Sequence, residues 1–200
     1  MKRIAVFGGA FDPPPVGHLS NASAVLNSNL VDQVWFVPTG DVRDKPATAL
    51  SQHRIAMMEA FVAENFKNDS AVRLELSQIK SPTPGSYTVD LMTRLREGNV
   101  GIEFLFVIGS ELVRDLPSWK DAERLKKEVR FLVVPRPGTT LAQAPGFQLT
   151  HIPEQFLLRS WASSTAVREL LGQKKRTAGF LTPAVLSYIL QAGLYGSRSS

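Results

Sequence analysis

The 200-residue chain contains no cysteine. Disulfides, thiolate metal sites and cysteine nucleophiles are thereby excluded, and the chain suits a reducing compartment. Histidine is nearly as scarce, with three residues, so chemistry that needs an imidazole has few places to sit. Long apolar runs are missing too. The most apolar stretches, IEFLFVIG and VRFLVVP, have the length of strands and fall well short of the roughly 20 residues of a membrane-spanning helix. The opening MKRIAVFGGAF is basic, but its apolar part is too short for a signal-peptide core and runs into a turn. Neither the G-x-G-x-x-G fingerprint nor the G-x-x-x-x-G-K-[ST] P-loop occurs, and no internal repeat or low-complexity run is seen. The expectation is a soluble, cytoplasmic chain with no membrane segment.

A hydrophobic content of 44% with 20% charged residues is enough for one sizeable core and one domain over 1–200. The net charge of +5 asks for an anionic partner. The positive charges are dispersed, however, and the one tight cluster, Lys174, Lys175 and Arg176, reads as a solvated loop. Without an RNA-binding or zinc-finger signature, no nucleic-acid partner is expected.

Strand and helix patterns alternate along the chain. RIAVFG, QVWFVP, VRLEL, EFLFVIG and VRFLVVP read as strands, with FQLTHI weaker; several are apolar on both faces, as strands covered on each side would be. HLSNASAVLNSN, SQHRIAMMEAFVAENF, SYTVDLMTRLRE and SWKDAERLKKE have helical periodicity, with Ser51, Ser86 and Ser118 as candidate N-caps. SSTAVRELL and TPAVLSYILQAGLY close the chain, the latter with Thr182–Pro183 as cap and first turn, forming a helical part over about 163–195. The alternation predicts an α/β fold: a Rossmann-like, doubly wound parallel sheet with helices on both faces. Ligands bind outside the carboxyl ends of such strands. Attention therefore falls on Gly8–His18, Pro38–Lys45, Gly109–Glu111, Pro135–Gly138 and the surroundings of Ser163.

The loop after the first strand runs directly into a helix, whose N-terminus attracts anions. Gly8 and Gly9 let backbone approach a ligand, and His18 at the helix start can donate to a phosphate oxygen. Taken alone, such a histidine also fits a cap or a packing residue.

GGAFDPPPVGHL resembles the G-x-F-D-P-x-H-x-G-H signature of the nucleotidyltransferase superfamily. With SYTVDLMTRL, FVIGSELVRDLPSWKDAERL, VVPRPG, SSTAVREL and LTPAVLSYILQAGLY in order, nearly the whole chain resembles bacterial nicotinate mononucleotide adenylyltransferases. The resemblance implies attack of a pyridine mononucleotide's phosphate on the α-phosphorus of ATP, with Mg²⁺ accompanying the nucleotide, in NAD synthesis. It implies catalytic roles for His18 and Arg168. ATP would lie against Gly8, Gly9, Ala10, Phe11, His18, Gly109, Glu111, Ser163, Ser164, Thr165 and Arg168. The mononucleotide would lie against Lys45, Thr88, Trp119 and Arg136, with Trp119 stacked on the pyridine, Thr88 near its carboxylate, and Lys120 a further candidate cation. Each also has a plainer reading: Ser163 as a helix cap, Trp119 as a core residue, Thr88 as an interior first-turn threonine, Lys120 and Arg136 as surface charges.

Three positions depart from the pattern. Pro15 stands where the signature has its first histidine and brings neither a side-chain donor nor an N–H. Glu111 replaces an aspartate. After the second strand VRDK replaces the usual PPHK, keeping Lys45 and adding Arg43, which either reaches the phosphates or pairs with Asp41 or Asp44. Pro15 leaves open a second reading, a nucleotide-binding paralogue with weakened turnover and a regulatory or sensing role.

Overall fold

The computed structural model describes residues 1–40, 47–79, 87–136, 143–157 and 162–197. Six strands form one sheet: β1 (Lys2–Gly9), β2 (Gln33–Pro38), β3 (Val72–Leu74), β4 (Ile102–Gly109), β5 (Arg130–Val134) and β6 (Gln148–His151). Their order is β3-β2-β1-β4-β5-β6, and every neighbouring pair is parallel. The predicted doubly wound fold is therefore present, with the order reversing between β1 and β4.

Period-two alternation along these strands divides the interior in two. Ala5, Phe7, Phe36, Leu105, Val107 and Leu132 face one core, packed under α1 (Val16–Asn27), α2 (Ser51–Asn65), α5 (Ser164–Gly172) and α6 (Pro183–Ala192). Ile4, Val6, Trp35, Phe104, Phe106 and Phe131 face the other, under α3 (Thr88–Gly98), α4 (Ala122–Glu128) and a 3₁₀ segment, Ser110–Ser118. A strand buried on both faces has no polar side to mark it, which is why IEFLFVIG reads as one continuous apolar run. In α3, Val89, Met92 and Leu95 fall on one helical face and are buried, leaving Thr88 at the first turn beside the sheet's carboxyl edge.

Several boundaries differ from the sequence expectation. Ser51 is the first residue of α2 and not its cap. Leu50 is extended, and its carbonyl accepts from His53 N–H (3.0 Å) and Arg54 N–H (3.2 Å), which sets the helix start one residue earlier in the count. Ser118 does not cap α4 either: it ends the 3₁₀ segment, its hydroxyl bonded to the Asp115 carbonyl at 2.7 Å. Pro117 tightens that segment, and Asp121, left-handed at φ 53°, caps α4 instead. Ser86 lies outside the described residues. β3 is shorter than VRLEL. At the end of the chain, Pro183 opens α6 after Thr182, and Gly193 closes it at φ 62°, a conformation that suits glycine. Among the described residues no helix is long and apolar enough to cross a membrane. Lys174, Lys175 and Arg176 form an exposed turn after α5.

Candidate active site

A crevice opens where the strand order reverses. β1 and β4 are paired from Lys2↔Ile102 to Val6↔Phe106. Beyond that point each stays paired only to its outer neighbour, β1 to β2 as far as Gly9↔Pro38 and β4 to β5 as far as Gly109↔Val134. Phe7–Gly9 and Val107–Gly109 thus form the two lips of a gap at the carboxyl edge, the expected ligand position in such sheets. Gly8 belongs there because a Cβ would come within 2.8 Å of the Phe106 ring.

The first loop lies over this gap. The Gly9 carbonyl accepts from Thr39 N–H at 2.8 Å, and the Ala10 carbonyl accepts from the guanidinium of Arg54, a fully buried residue of α2, at 2.9 Å. In planar trans peptides the next N–H points the opposite way, so Ala10 and Phe11 turn their donors away from these partners. Phe11 has φ 51° and is buried, and its ring meets the His18 ring edge-on at 4.9 Å. Pro15 is the buried N-cap of α1, its carbonyl bonded to His18 N–H at 2.9 Å. His18 Nδ1 is buried and has no hydrogen-bond partner among the described residues. Burial, with the positive charge of Arg136 beside it, pushes the imidazole down to about 4, the Pro15 carbonyl pulling weakly the other way. The imidazole is therefore held neutral, and an anion placed beside it would favour its protonation.

The start of α5 is stitched to the same loop. Ser163 is its N-cap, the hydroxyl accepting from Ala166 N–H at 3.2 Å. The Ser164 hydroxyl donates to the Pro13 carbonyl at 2.8 Å. Arg168 donates to the Asp12 carbonyl at 2.6 Å and to the Thr165 hydroxyl at 3.3 Å. The three hydroxyls predicted to face an anion are thus engaged within the protein. What α5 offers a ligand is its N-terminal backbone and the charge of the half-buried Arg168. Behind the loop, Asp12 is almost fully buried and accepts from Thr48 N–H (2.6 Å), Ala49 N–H (3.1 Å) and the Tyr195 hydroxyl (2.7 Å). Burial and the Asp12 carboxylate push the Tyr195 phenol upward, keeping it a donor. Neither Asp12, Arg54 nor Tyr195 is given a role by sequence reasoning, although Asp12 and Tyr195 sit inside the motifs that carry the resemblance.

Across the gap, Glu111 folds back over Gly109, whose missing Cβ leaves room for the carboxylate, and pairs with Arg136 at 3.0 Å. Arg136 N–H also bonds the Ser110 hydroxyl at 2.9 Å. The Arg136 charge is also felt at His18. Lys120 is on the surface instead, 3.6 Å from Asp90 and over the Tyr87 ring at 4.2 Å. Lys45, Arg43, Asp41 and Asp44 lie outside the described residues.

On the side of the gap below α3 is a cavity of about 180 Å³ lined by Gly8, Thr39, Gln78, Thr88, Leu91, Phe106, Val107, Ile108, Leu112 and Trp119. Thr88 and Trp119 are brought together here. Trp119 follows the 3₁₀ segment and sits edge-on to Phe106 (6.4 Å) and Phe131 (6.3 Å), so it is both a core residue and a cavity wall. Gln78 is a lining residue that sequence reasoning does not reach. Among the described residues no three His, Asp or Glu side chains converge as a metal cage.

A six-stranded parallel sheet in this order, with an anion-ready loop and helix at its switch point, defines a nucleotide-binding α/β protein. Residues 6–170 match the cytidylyltransferase-like family. The chain belongs, within it, to the nicotinate-nucleotide adenylyltransferases. It is 34% identical over its whole length to the probable nicotinate-nucleotide adenylyltransferase of Shouchella clausii, also covered in full. It is 31% identical to the nicotinate-nucleotide adenylyltransferase of Bacillus subtilis, with 98% of this chain and 100% of that one covered. The fold matches that of Plasmodium falciparum nicotinic acid mononucleotide adenylyltransferase complexed with NaAD, with a TM-score of 0.80, 24% identity and 99% of each chain covered.

Proposed function

We propose that this chain transfers the adenylyl group of ATP to a pyridine mononucleotide, releasing pyrophosphate and forming the dinucleotide used in NAD biosynthesis. The observation that carries the reading is the gap between β1 and β4, which has an aromatic cavity on one side and His18, Arg136 and Arg168 around the other. A phosphate oxygen of the acceptor attacks the α-phosphorus, the bond to the β-phosphate oxygen breaks, and no covalent intermediate with the protein is needed. Such a transfer depends on positioning and on neutralising phosphoryl charge.

In this reading the ATP phosphates lie against Gly8, Gly9, Ala10, Phe11 and the N-terminus of α5 at Ser163, Ser164 and Thr165. His18 takes up charge as the phosphates arrive, and Arg168 faces the leaving pyrophosphate. Gly109 and Glu111 approach a ribose, while Thr88, Trp119, Arg136 and Lys45 serve the mononucleotide. Pro15 removes one donor from this arrangement, and loss of one preorganised donor slows such reactions by roughly 10²–10³-fold. Arg136 keeps a cation next to His18, so turnover is reduced and not abolished.

The donor set fits Mg²⁺ delivered on the nucleotide. Both oxygens of Asp12 are already hydrogen-bonded, and Glu111 is paired with Arg136. A small hard cation is commonly held by substrate phosphates with few protein ligands, and there it neutralises pyrophosphate charge. A cytoplasmic setting goes with this substrate pair and with a chain free of cysteine. Incubating the protein with ATP, Mg²⁺ and nicotinate or nicotinamide mononucleotide should yield dinucleotide and pyrophosphate. Measurable ATP binding with no product from either acceptor would overturn the proposal.

A further inference from the structure

Arg54 stands where the periodicity of α2 calls for an apolar residue. It shares one helical face with Met57, Met58 and Phe61, and all four are fully buried. Burying a guanidinium costs far more than burying a methionine that would continue that face. The charge is directed at the first loop, where Nη1 donates to the Ala10 carbonyl at 2.9 Å.

The peptide it holds is one that would relax by turning over. Phe11 has φ 51°, a left-handed value disfavoured for any residue with a Cβ. Turning the Ala10–Phe11 peptide over shifts that φ by roughly 180°, back into the extended region. The relaxed orientation presents a carbonyl oxygen where the observed one presents the Phe11 N–H. Among the described residues that N–H donates to no acceptor. For an incoming phosphate the difference is a donor against a repelling lone pair. The strained form is held by the Arg54 bond and by the Phe11 ring, which packs on His18 at 4.9 Å and Phe36 at 5.8 Å.

We propose that Arg54 is a positioning residue: by holding the Ala10 carbonyl it keeps the Phe11 N–H, and not a carbonyl oxygen, aimed at the ATP phosphates. This rests on the transfer reaction proposed above. The guanidinium touches no substrate in this arrangement. It acts through one peptide, whose carbonyl it polarises and whose N–H it thereby makes a stronger donor. A neutral donor would fix the same peptide, but a cation also lends its field, weakly screened in a dry interior, to an anion on the far side. Its charge is felt at Tyr195, whose hydroxyl donates at 2.7 Å to the almost fully buried Asp12 carboxylate, so a countercharge lies in the same layer.

NMR titration of the isotope-labelled protein with ATP, and separately with adenosine, reads this without turnover. In the wild type, ATP should move the Phe11 amide resonance downfield, and adenosine, which lacks phosphates, should leave it in place. Arg54→Met continues the apolar face and releases the carbonyl. It should remove the Phe11 shift and weaken ATP by roughly 10- to 150-fold, the range for one donor to a charged group. Its adenosine affinity should stay within about threefold. Arg54→Gln is too short to reach the Ala10 carbonyl and should give the same split, and it decides the matter if Arg54→Met does not fold. The inference is overturned by a Phe11 amide that ATP leaves unmoved in the wild type, or by variants that keep ATP affinity within about threefold. It is equally overturned if ATP and adenosine are weakened alike, which marks a structural role. Neither ligand needs an acceptor, so ATP binding without any dinucleotide product refutes the transfer reaction alone, and the Arg54 comparison still stands or falls on the binding constants.

Discussion

Asp12→Asn isolates the clasp that holds the first loop. The Asp12 carboxylate is almost fully buried; Oδ2 accepts from Thr48 N–H at 2.6 Å, and Oδ1 accepts from Ala49 N–H at 3.1 Å and the Tyr195 hydroxyl at 2.7 Å. An asparagine keeps one acceptor oxygen. If its NH₂ replaces Oδ2 it faces the Thr48 N–H; if it replaces Oδ1 it faces the Ala49 N–H. Neither orientation satisfies both backbone donors. Hydrogen bonds to a charged group contribute about 1.5–3 kcal/mol each, and one or two are lost with a donor left buried, so the expected destabilisation is about 3–5 kcal/mol. For a chain of this size that corresponds to a fall in Tm of roughly 6–20 °C. Tyr195→Phe removes a single bond from the same carboxylate and should cost about 1–2 kcal/mol. Because the two substitutions share a bond, the double variant should lose less than the sum. Urea denaturation at constant m-value reads all three. An Asp12→Asn loss no larger than that of Tyr195→Phe, or strict additivity, would refute the clasp.

Gly8→Ala should cost about 1–3 kcal/mol and weaken mononucleotide binding, because the new Cβ meets the buried Phe106 ring at 2.8 Å; denaturation and titration check it. Gly109→Ala meets only the mobile end of Glu111, so its stability should change little while the Glu111–Arg136 pair opens; a loss comparable to Gly8→Ala would contradict this. His18 is pushed down to about 4, against about 6.5 for a free imidazole. The unfolded chain therefore binds more protons between those values, so stability falls as pH drops through that window and levels off below it, by up to roughly 3 kcal/mol. His18→Asn should lack this increment in pH-dependent denaturation, and should nearly abolish turnover. Pro15→His should raise kcat by restoring a donor at the start of α1, and an unchanged or lower kcat with intact ATP binding would dismiss the role given to that position.

Much of the fold is legible in the sequence because its strands are buried on both faces. EFLFVIG and VRFLVVP advertise themselves as unbroken apolar runs, and their alternation with helical segments implies parallel pairing. Boundaries are less legible where a tight local turn competes with periodicity. SWKDAERLKKE reads as one helix, but the 3₁₀ segment ends at its first residue, Ser118, and α4 begins only after the left-handed Asp121, which leaves Trp119 in extended backbone beside the cavity. Whether Trp119 is core or ligand wall has no single answer in the sequence, because the structure makes it both.

The two halves of the candidate site differ in legibility for a physical reason. The side proposed for the phosphates is built mostly from one continuous device, a strand, a loop and a helix start from Gly8 to His18, and the proposal of an anion there rests on local chain geometry. The ring side is built by convergence. Gln78 is one of several polar residues beyond a three-residue strand, with no periodicity to set it apart, and only the tertiary packing of α3 and β4 around it turns an ordinary glutamine into an orphaned buried amide. The same holds for the bond between Tyr195 and Asp12, which joins residues 183 positions apart. A serine at a helix start is legible as an anion site in principle, yet Ser163 caps its own helix and Ser164 binds Pro13. Sequence supplies the donors; which of them remain available to a ligand is decided by the neighbours that fold against them. The cavity under α3 is therefore the part of the candidate site most in need of the structure.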